Sequence, residues 1–142
     1  MKQISGGVTA AKGFCAASTA AGIKYKDRKD MALIFSKTPC KAAGTFTTNI
    51  VKAAPVKWDQ KIVAESACAH AVVVNAGIAN ACTGQEGMDY CSQTADHAAE
   101  LLKIPADSVL VASTGVIGMQ LPMECIKDGV SAMVPELSDA NE

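Results

Sequence analysis

Arginine is nearly missing from this chain: Arg28 stands alone among 13 basic residues, and aromatic residues make up only 4% of the sequence. A nucleic-acid binder needs cationic forks for phosphates and flat rings for bases, so nucleic acid is not an expected partner. Long apolar runs are missing too. No stretch approaches the roughly 20 residues that span a bilayer. The opening Met1-Lys2-Gln3-Ile4-Ser5-Gly6 has no apolar segment of the kind that directs secretion. No membrane association and a cytoplasmic address are therefore expected. The net charge is only -1 and no long charge run occurs, which argues against a disordered tail.

The chemical inventory is also short. The only histidines, His70 and His97, have no ligand-like spacing, and the cysteines, Cys15, Cys40, Cys68, Cys82, Cys91 and Cys125, contain no C-x-x-C pair. Scattered among apolar neighbours, these cysteines read as small core residues, so neither a metal nor a disulfide is expected. No G-x-G-x-x-G follows an apolar run, and Gly84-Gln85-Glu86-Gly87 alone is a weak match, which argues against the competing reading of a dinucleotide-binding unit. There is no G-x-S-x-G, no Ser or Cys with a convincing His partner and no evident acid–base pair. The chain alone is expected to be inactive.

What is present is an ordinary folding composition: 142 residues, 49% hydrophobic, without repeats. That length suits one domain over residues 1–142, burying roughly two-thirds of the surface its unfolded form exposes. Met31 to Ser36 reads as a buried strand after the polar turn Lys24 to Asp30, and the β-branched Thr45 to Thr48 segment as another. Asp59 to Ala67 fits a helix capped by Asp59. Ala71 to Val74 is the clearest strand, ending in Asn75-Ala76-Gly77, and Met88, Cys91, Ala95, Ala98 and Leu102 then mark one face of a helix, with His97 off that stripe. A second strand, Val109 to Val111, ends in Ser113-Thr114-Gly115. Pro122 then suits a first helical position, with Ile126, Val130, Met133 and Leu137 at helical spacing. Strand, turn and helix thus occur twice, which predicts an α/β class.

The segment Ala112-Ser113-Thr114-Gly115-Val116-Ile117-Gly118 carries the most chemistry. A strand ending in small hydroxyl residues and glycine presents backbone N–H groups and a hydroxyl at its tip. Such donors stabilise the oxyanion of an attacked acyl group by about 3 kcal/mol each. A plain tight turn is the competing reading. For Asn75 and Asn80 the expected role is hydrogen bonding within the first glycine turn itself, and for Lys12 a surface charge.

In order and spacing, four blocks resemble the N-terminal part of the ornithine acetyltransferase family, the bifunctional glutamate N-acetyltransferases of arginine biosynthesis. They are Gly6-Gly7-Val8-Thr9-Ala10-Ala11-Lys12-Gly13-Phe14, Ala43 to Asn49 with Val51 to Val56, Val74 to Gly84, and Ser113 to Gly118 with Leu121-Pro122-Met123. The family usually has Pro at Ala11, and Ser and Asn at Ala76 and Ile78. The resemblance implies a mixed sheet packed with helices, the N-terminal part of an N-terminal-nucleophile-type acyltransferase. It implies an α fragment of a longer self-processing precursor, stopping short of the cleavage point, with the threonine nucleophile on a β fragment and an α–β hetero-oligomer as the assembly. N-acetylornithine and glutamate are the implied substrates, with acetyl-CoA a possible co-substrate and no cofactor. The implied oxyanion hole is the Thr114 hydroxyl with the Gly115 backbone N–H. A related amidohydrolase or aminopeptidase that passes the acyl group to water, and a non-catalytic module, remain alternatives.

Overall fold

The computed structural model describes residues 5–66 and 68–140. Its frame is a four-stranded mixed sheet in the order β1-β2-β3-β4, with β1 Phe14–Thr19, β2 Met31–Cys40, β3 Ala69–Asn75 and β4 Val109–Ser113. The first three strands are antiparallel neighbours, and β4 runs parallel to β3. A parallel neighbour needs a crossover, and α2, Gly84–Leu102, supplies most of it. Helix α1, Ala54–Glu65, joins β2 to β3, and α3, Met123–Met133, follows β4. The expected mixed α/β class is what the chain adopts.

The three helices lie on one face of the sheet. Leu33, Ala71, Val73 and Val109 of the strands pack there with Ala95, Ala98, Ile126, Val130 and Met133 of the helices. Helix α2 presents Gly87, Cys91, Ala95 and Ala98 to the sheet, small residues that let its axis come close. It ends at Lys103, which adopts a left-handed φ of 58°. The opposite sheet face is apolar as well. Cross-strand rows Ala16–Ile34–Val72–Leu110 and Ala32–Val74–Ala112 run over it, and every one of these residues is only partly buried. A continuous apolar run such as Ala71 to Val74 normally means a strand covered on both faces. Here one cover is missing among the described residues.

Several sequence expectations need correction. Thr45 to Thr48 forms no strand. Side-chain oxygens close local turns there instead: Asn49 N–H donates to Thr47 Oγ1 at 3.2 Å, and Val51 N–H to Asn49 Oδ1 at 3.0 Å. The helix expected over Asp59 to Ala67 begins at Ala54, with Pro55 in its first turn, so Asp59 sits inside it rather than capping it; Ala67 lies outside the described residues. Pro122 occupies the N-cap of α3, and Leu137 follows a short 3-10 turn, Val134–Glu136. Cys15 and Cys91 are buried as small core residues should be, but Cys82 is exposed. Strand β1 has no strong local signal in the sequence, because Phe14 to Thr19 mixes small and polar residues, and it gains its place by pairing with β2.

The outer edge of β4 is closed by side chains of α1. Trp58 Nε1 donates to the Val109 carbonyl at 3.0 Å, and Asp59 Oδ1 accepts from Val111 N–H at 2.9 Å. Burial raises the Asp59 pKa to about 6, against a partly compensating pull from the Val111 N–H. A carboxyl whose folded pKa lies above its unfolded one binds more protons when folded, so its contribution to stability is present at low pH and is lost as pH rises through about 6. Asp59→Asn keeps an acceptor for Val111 and cannot ionise. The melting-temperature difference between Asp59→Asn and wild type is therefore expected to shift in favour of the variant between about pH 4 and pH 7. A difference independent of pH would contradict this role for the carboxyl.

Candidate functional site

The parallel pairing of β3 and β4 sets Asn75 opposite Ser113, so the two glycine turns leave the sheet side by side. Their pairing then continues past the strands. Thr114 N–H donates to the Asn75 carbonyl at 3.0 Å, Val116 N–H to the Gly77 carbonyl at 3.0 Å, and Ala79 N–H to the Val116 carbonyl at 2.9 Å. Gly115 has φ 134°, and a Cβ there would fall on the Gly77 carbonyl and within 2.7 Å of Ile78 N. Only glycine lets the two backbones approach this closely.

Buried asparagines hold the pair from behind. Asn75 Nδ2 donates to the Ile78 carbonyl at 2.9 Å. Asn80 is 1% exposed; its N–H donates to Ser113 Oγ at 2.9 Å, and its Nδ2 to the Gly87 carbonyl at 2.8 Å. Thr83 Oγ1 donates to Asn80 Oδ1 at 2.6 Å, which ties the turn to the start of α2. Thus Asn75 works within its own turn, as expected, whereas Asn80 reaches beyond it. The contribution of Ser113 could not be read from sequence, since its partner Asn80 lies 33 positions away.

Thr114 and Gly115 are exposed at the outer rim of this frame. Among the described residues, no hydrogen bond engages the Thr114 hydroxyl or the Gly115 N–H. Gly115 also lines a cleft of about 260 Å³ with Ala76, Gly77 and Val116 on one wall. The arrangement offers a rotatable hydroxyl and a fixed amide on neighbouring residues, which is the chemistry that receives a developing oxyanion.

Other reactive groups are accounted for elsewhere. Burial pushes the Cys91 thiol up to about 12, with Asp59 adding to the shift, so it is not a thiolate nucleophile at neutral pH. His97 shares a hydrogen bond with Ser131 Oγ at 2.9 Å, and His70 Nδ1 one with the Ser36 carbonyl at 3.1 Å, both away from the glycine turns. Lys12 is exposed. Among the described residues, no three His, Cys, Asp or Glu side chains gather where they could hold a metal ion, and no helix is long and apolar enough to cross a membrane.

A model described as the ArgJ family matches residues 15–142. The chain belongs to that family. The arginine biosynthesis bifunctional protein ArgJ of Thermotoga neapolitana is 51% identical over 128 residues, covering 89% of this chain and 32% of that protein. The chain spans about a third of the length of the curated ArgJ relatives it matches. Among solved structures, the ornithine acetyltransferase of Mycobacterium tuberculosis complexed with ornithine is 44% identical with a TM-score of 0.91, covering 96% of this chain and 73% of that one. ArgJ of Bacillus halodurans is 44% identical with a TM-score of 0.83, over 88% of this chain and 65% of that one.

The structure shows the surroundings of Ala11, Ala76 and Ile78. Ala11 has φ -78° and ψ 126°, a conformation open to proline and to alanine alike. Ala76 N–H donates to the Asp30 carbonyl at 2.8 Å, whereas the Ile78 side chain is buried in the hydrophobic core and its carbonyl accepts from Asn75 Nδ2 at 2.9 Å.

Proposed function

We propose that this chain is the N-terminal part of an acetyltransferase that moves the acetyl group from N-acetylornithine to glutamate. The attacking threonine is carried by polypeptide outside the chain, and the Thr114 hydroxyl and Gly115 N–H bind the oxyanion. The observation that carries this reading is that, among the described residues, no hydrogen bond engages the Thr114 hydroxyl or the Gly115 N–H at the tip of the double turn, where Gly115 lines a cleft. Membership of the ArgJ family supports the choice of reaction.

In the first half-reaction the threonine oxygen attacks the acetyl carbonyl and the carbon–nitrogen bond breaks. Ornithine leaves as an amine that takes up a proton, and an acetyl ester remains on the threonine. The glutamate amine then attacks the ester, the threonine oxygen leaves and regains a proton, and N-acetylglutamate departs. Each half passes through a tetrahedral oxyanion, so one pair of donors serves both. The uncovered apolar sheet face supports a missing structural complement: Ile34, Val72 and Leu110 form a ready surface for the remainder of the molecule.

Full-length protein given N-acetylornithine labelled in the acetyl group tests this reading. Label is expected in N-acetylglutamate when glutamate is supplied, and as a stable protein-bound acetyl ester when it is withheld. Release of free acetate at a rate indifferent to glutamate would instead establish a hydrolase.

A further inference from the structure

The second wall of the cleft at Gly115 has a role of its own. It comes from the loop between β1 and β2 and consists of Lys24, Tyr25, Arg28, Lys29 and Asp30. In a chain whose net charge is -1, three cations here face one acid. That acid is already occupied: Asp30 Oδ1 accepts from Ala21 N–H at 2.7 Å, and Oδ2 from Ile23 N–H at 2.8 Å. The ion pairs among the described residues, Lys37–Asp139 and Lys61–Glu65, lie elsewhere. Lys24 Nζ and Arg28 Cζ sit 5.1 and 5.8 Å from the centroid of the Tyr25 ring, contacts that leave their charge uncompensated.

The loop is also fixed against the glycine turn. Asp30 N–H donates to the Thr19 carbonyl at 3.1 Å, and the Asp30 carbonyl accepts from Ala76 N–H. A Cβ on Gly77 would come within 3.1 Å of Lys24 Cβ, so Gly77 lets the cationic wall stand close to Gly115.

We infer that this cleft selects the acyl acceptor: Lys24, Arg28 and Lys29 attract the side-chain carboxylate of glutamate towards Gly115 and repel the ammonium of the departing ornithine. The inference rests on the proposed acetyl transfer. Between its two half-reactions a net cation, ornithine, must leave and a net anion, glutamate, must enter the same place. A concave surface with unpaired positive charge drives that exchange in one direction, and its pull weakens as salt is added. N-acetylornithine, a zwitterion with no net charge, gains little from the same field.

The test uses full-length enzyme carrying Lys24→Gln, Arg28→Gln and Lys29→Gln together. KM for glutamate is expected to rise about tenfold, and the fall of kcat/KM for glutamate with added salt to flatten, while KM for N-acetylornithine does not rise. Lys24→Arg with Lys29→Arg, which keeps the charge, should hold KM for glutamate near its wild-type value. Calorimetry with glutarate, which has both carboxylates but no amine to acylate, reads the cleft apart from the chemistry: wild type should bind it and the triple variant should not. An unchanged glutamate KM with unchanged glutarate binding in a folded triple variant would overturn the inference and leave the transfer reading standing. Glutarate binding lost in the variant, from a wild type that does not acetylate glutamate, would sink the transfer reading and the acceptor role with it, leaving only an anion site.

Discussion

Gly115→Ala in the full-length enzyme is expected to lower turnover by about a thousandfold and to destabilise the fold by about 2–4 kcal/mol. Two costs coincide at this position. A φ of 134° is strained for any L side chain, and the added methyl meets the Gly77 carbonyl and Ile78 N, backbone atoms that cannot step aside without parting the two turns. Parting them breaks the Val116-to-Gly77 hydrogen bond and swings the Gly115 amide off its direction. Gly118 supplies the control. Its φ is 85°, but a Cβ there meets nothing within 4 Å, so Gly118→Ala is expected to cost only about 1 kcal/mol, with turnover within a few-fold of wild type. Steady-state kinetics and denaturant unfolding on both variants measure the contrast. Equal effects of the two alanines would show that the double turn does not position the site.

Thr114→Ala is the complementary case, a chemical loss without a structural one. The Thr114 side chain is exposed and makes no internal hydrogen bond among the described residues, while its N–H is held by Asn75 whatever the side chain. The variant should unfold like wild type yet turn over about a hundredfold more slowly, with the loss in kcat rather than KM, because the hydroxyl meets full charge only in the transition state. Thr114→Ser keeps a donor and should retain most of the rate. Wild-type turnover in a folded Thr114→Ala enzyme would remove the hydroxyl from the mechanism.

The elements that position the site were legible in sequence because each has a strong local signal. Ala71 to Val74 and Val109 to Val111 are short, valine-rich apolar runs, and α2 shows its buried stripe at helical spacing. The positions of the two glycine turns were visible as well. What sequence could not supply is their adjacency, which follows from the parallel pairing of β3 with β4 across a 19-residue helix. Asp59 shows how a local rule is overridden: an acid before an apolar stripe resembles a cap, but Pro55 starts the helix earlier and leaves the carboxylate free to close a strand edge. Asp30 gave no signal, since its partners Ala21 and Ile23 offer only backbone N–H groups to a loop acid. Thr45 to Thr48 misled because β-propensity depends on context, and side-chain oxygens close local turns there instead.

The central claim is that the tip of β4 receives the oxyanion formed at an acyl carbon, and a crystal structure of the full-length enzyme trapped as its acetyl ester, formed from N-acetylornithine without acceptor, tests it most directly. The acetyl oxygen should lie about 2.7–3.1 Å from both the Gly115 nitrogen and Thr114 Oγ1. An acetyl oxygen held by other donors, with Gly115 and Thr114 facing away from it, would contradict the account.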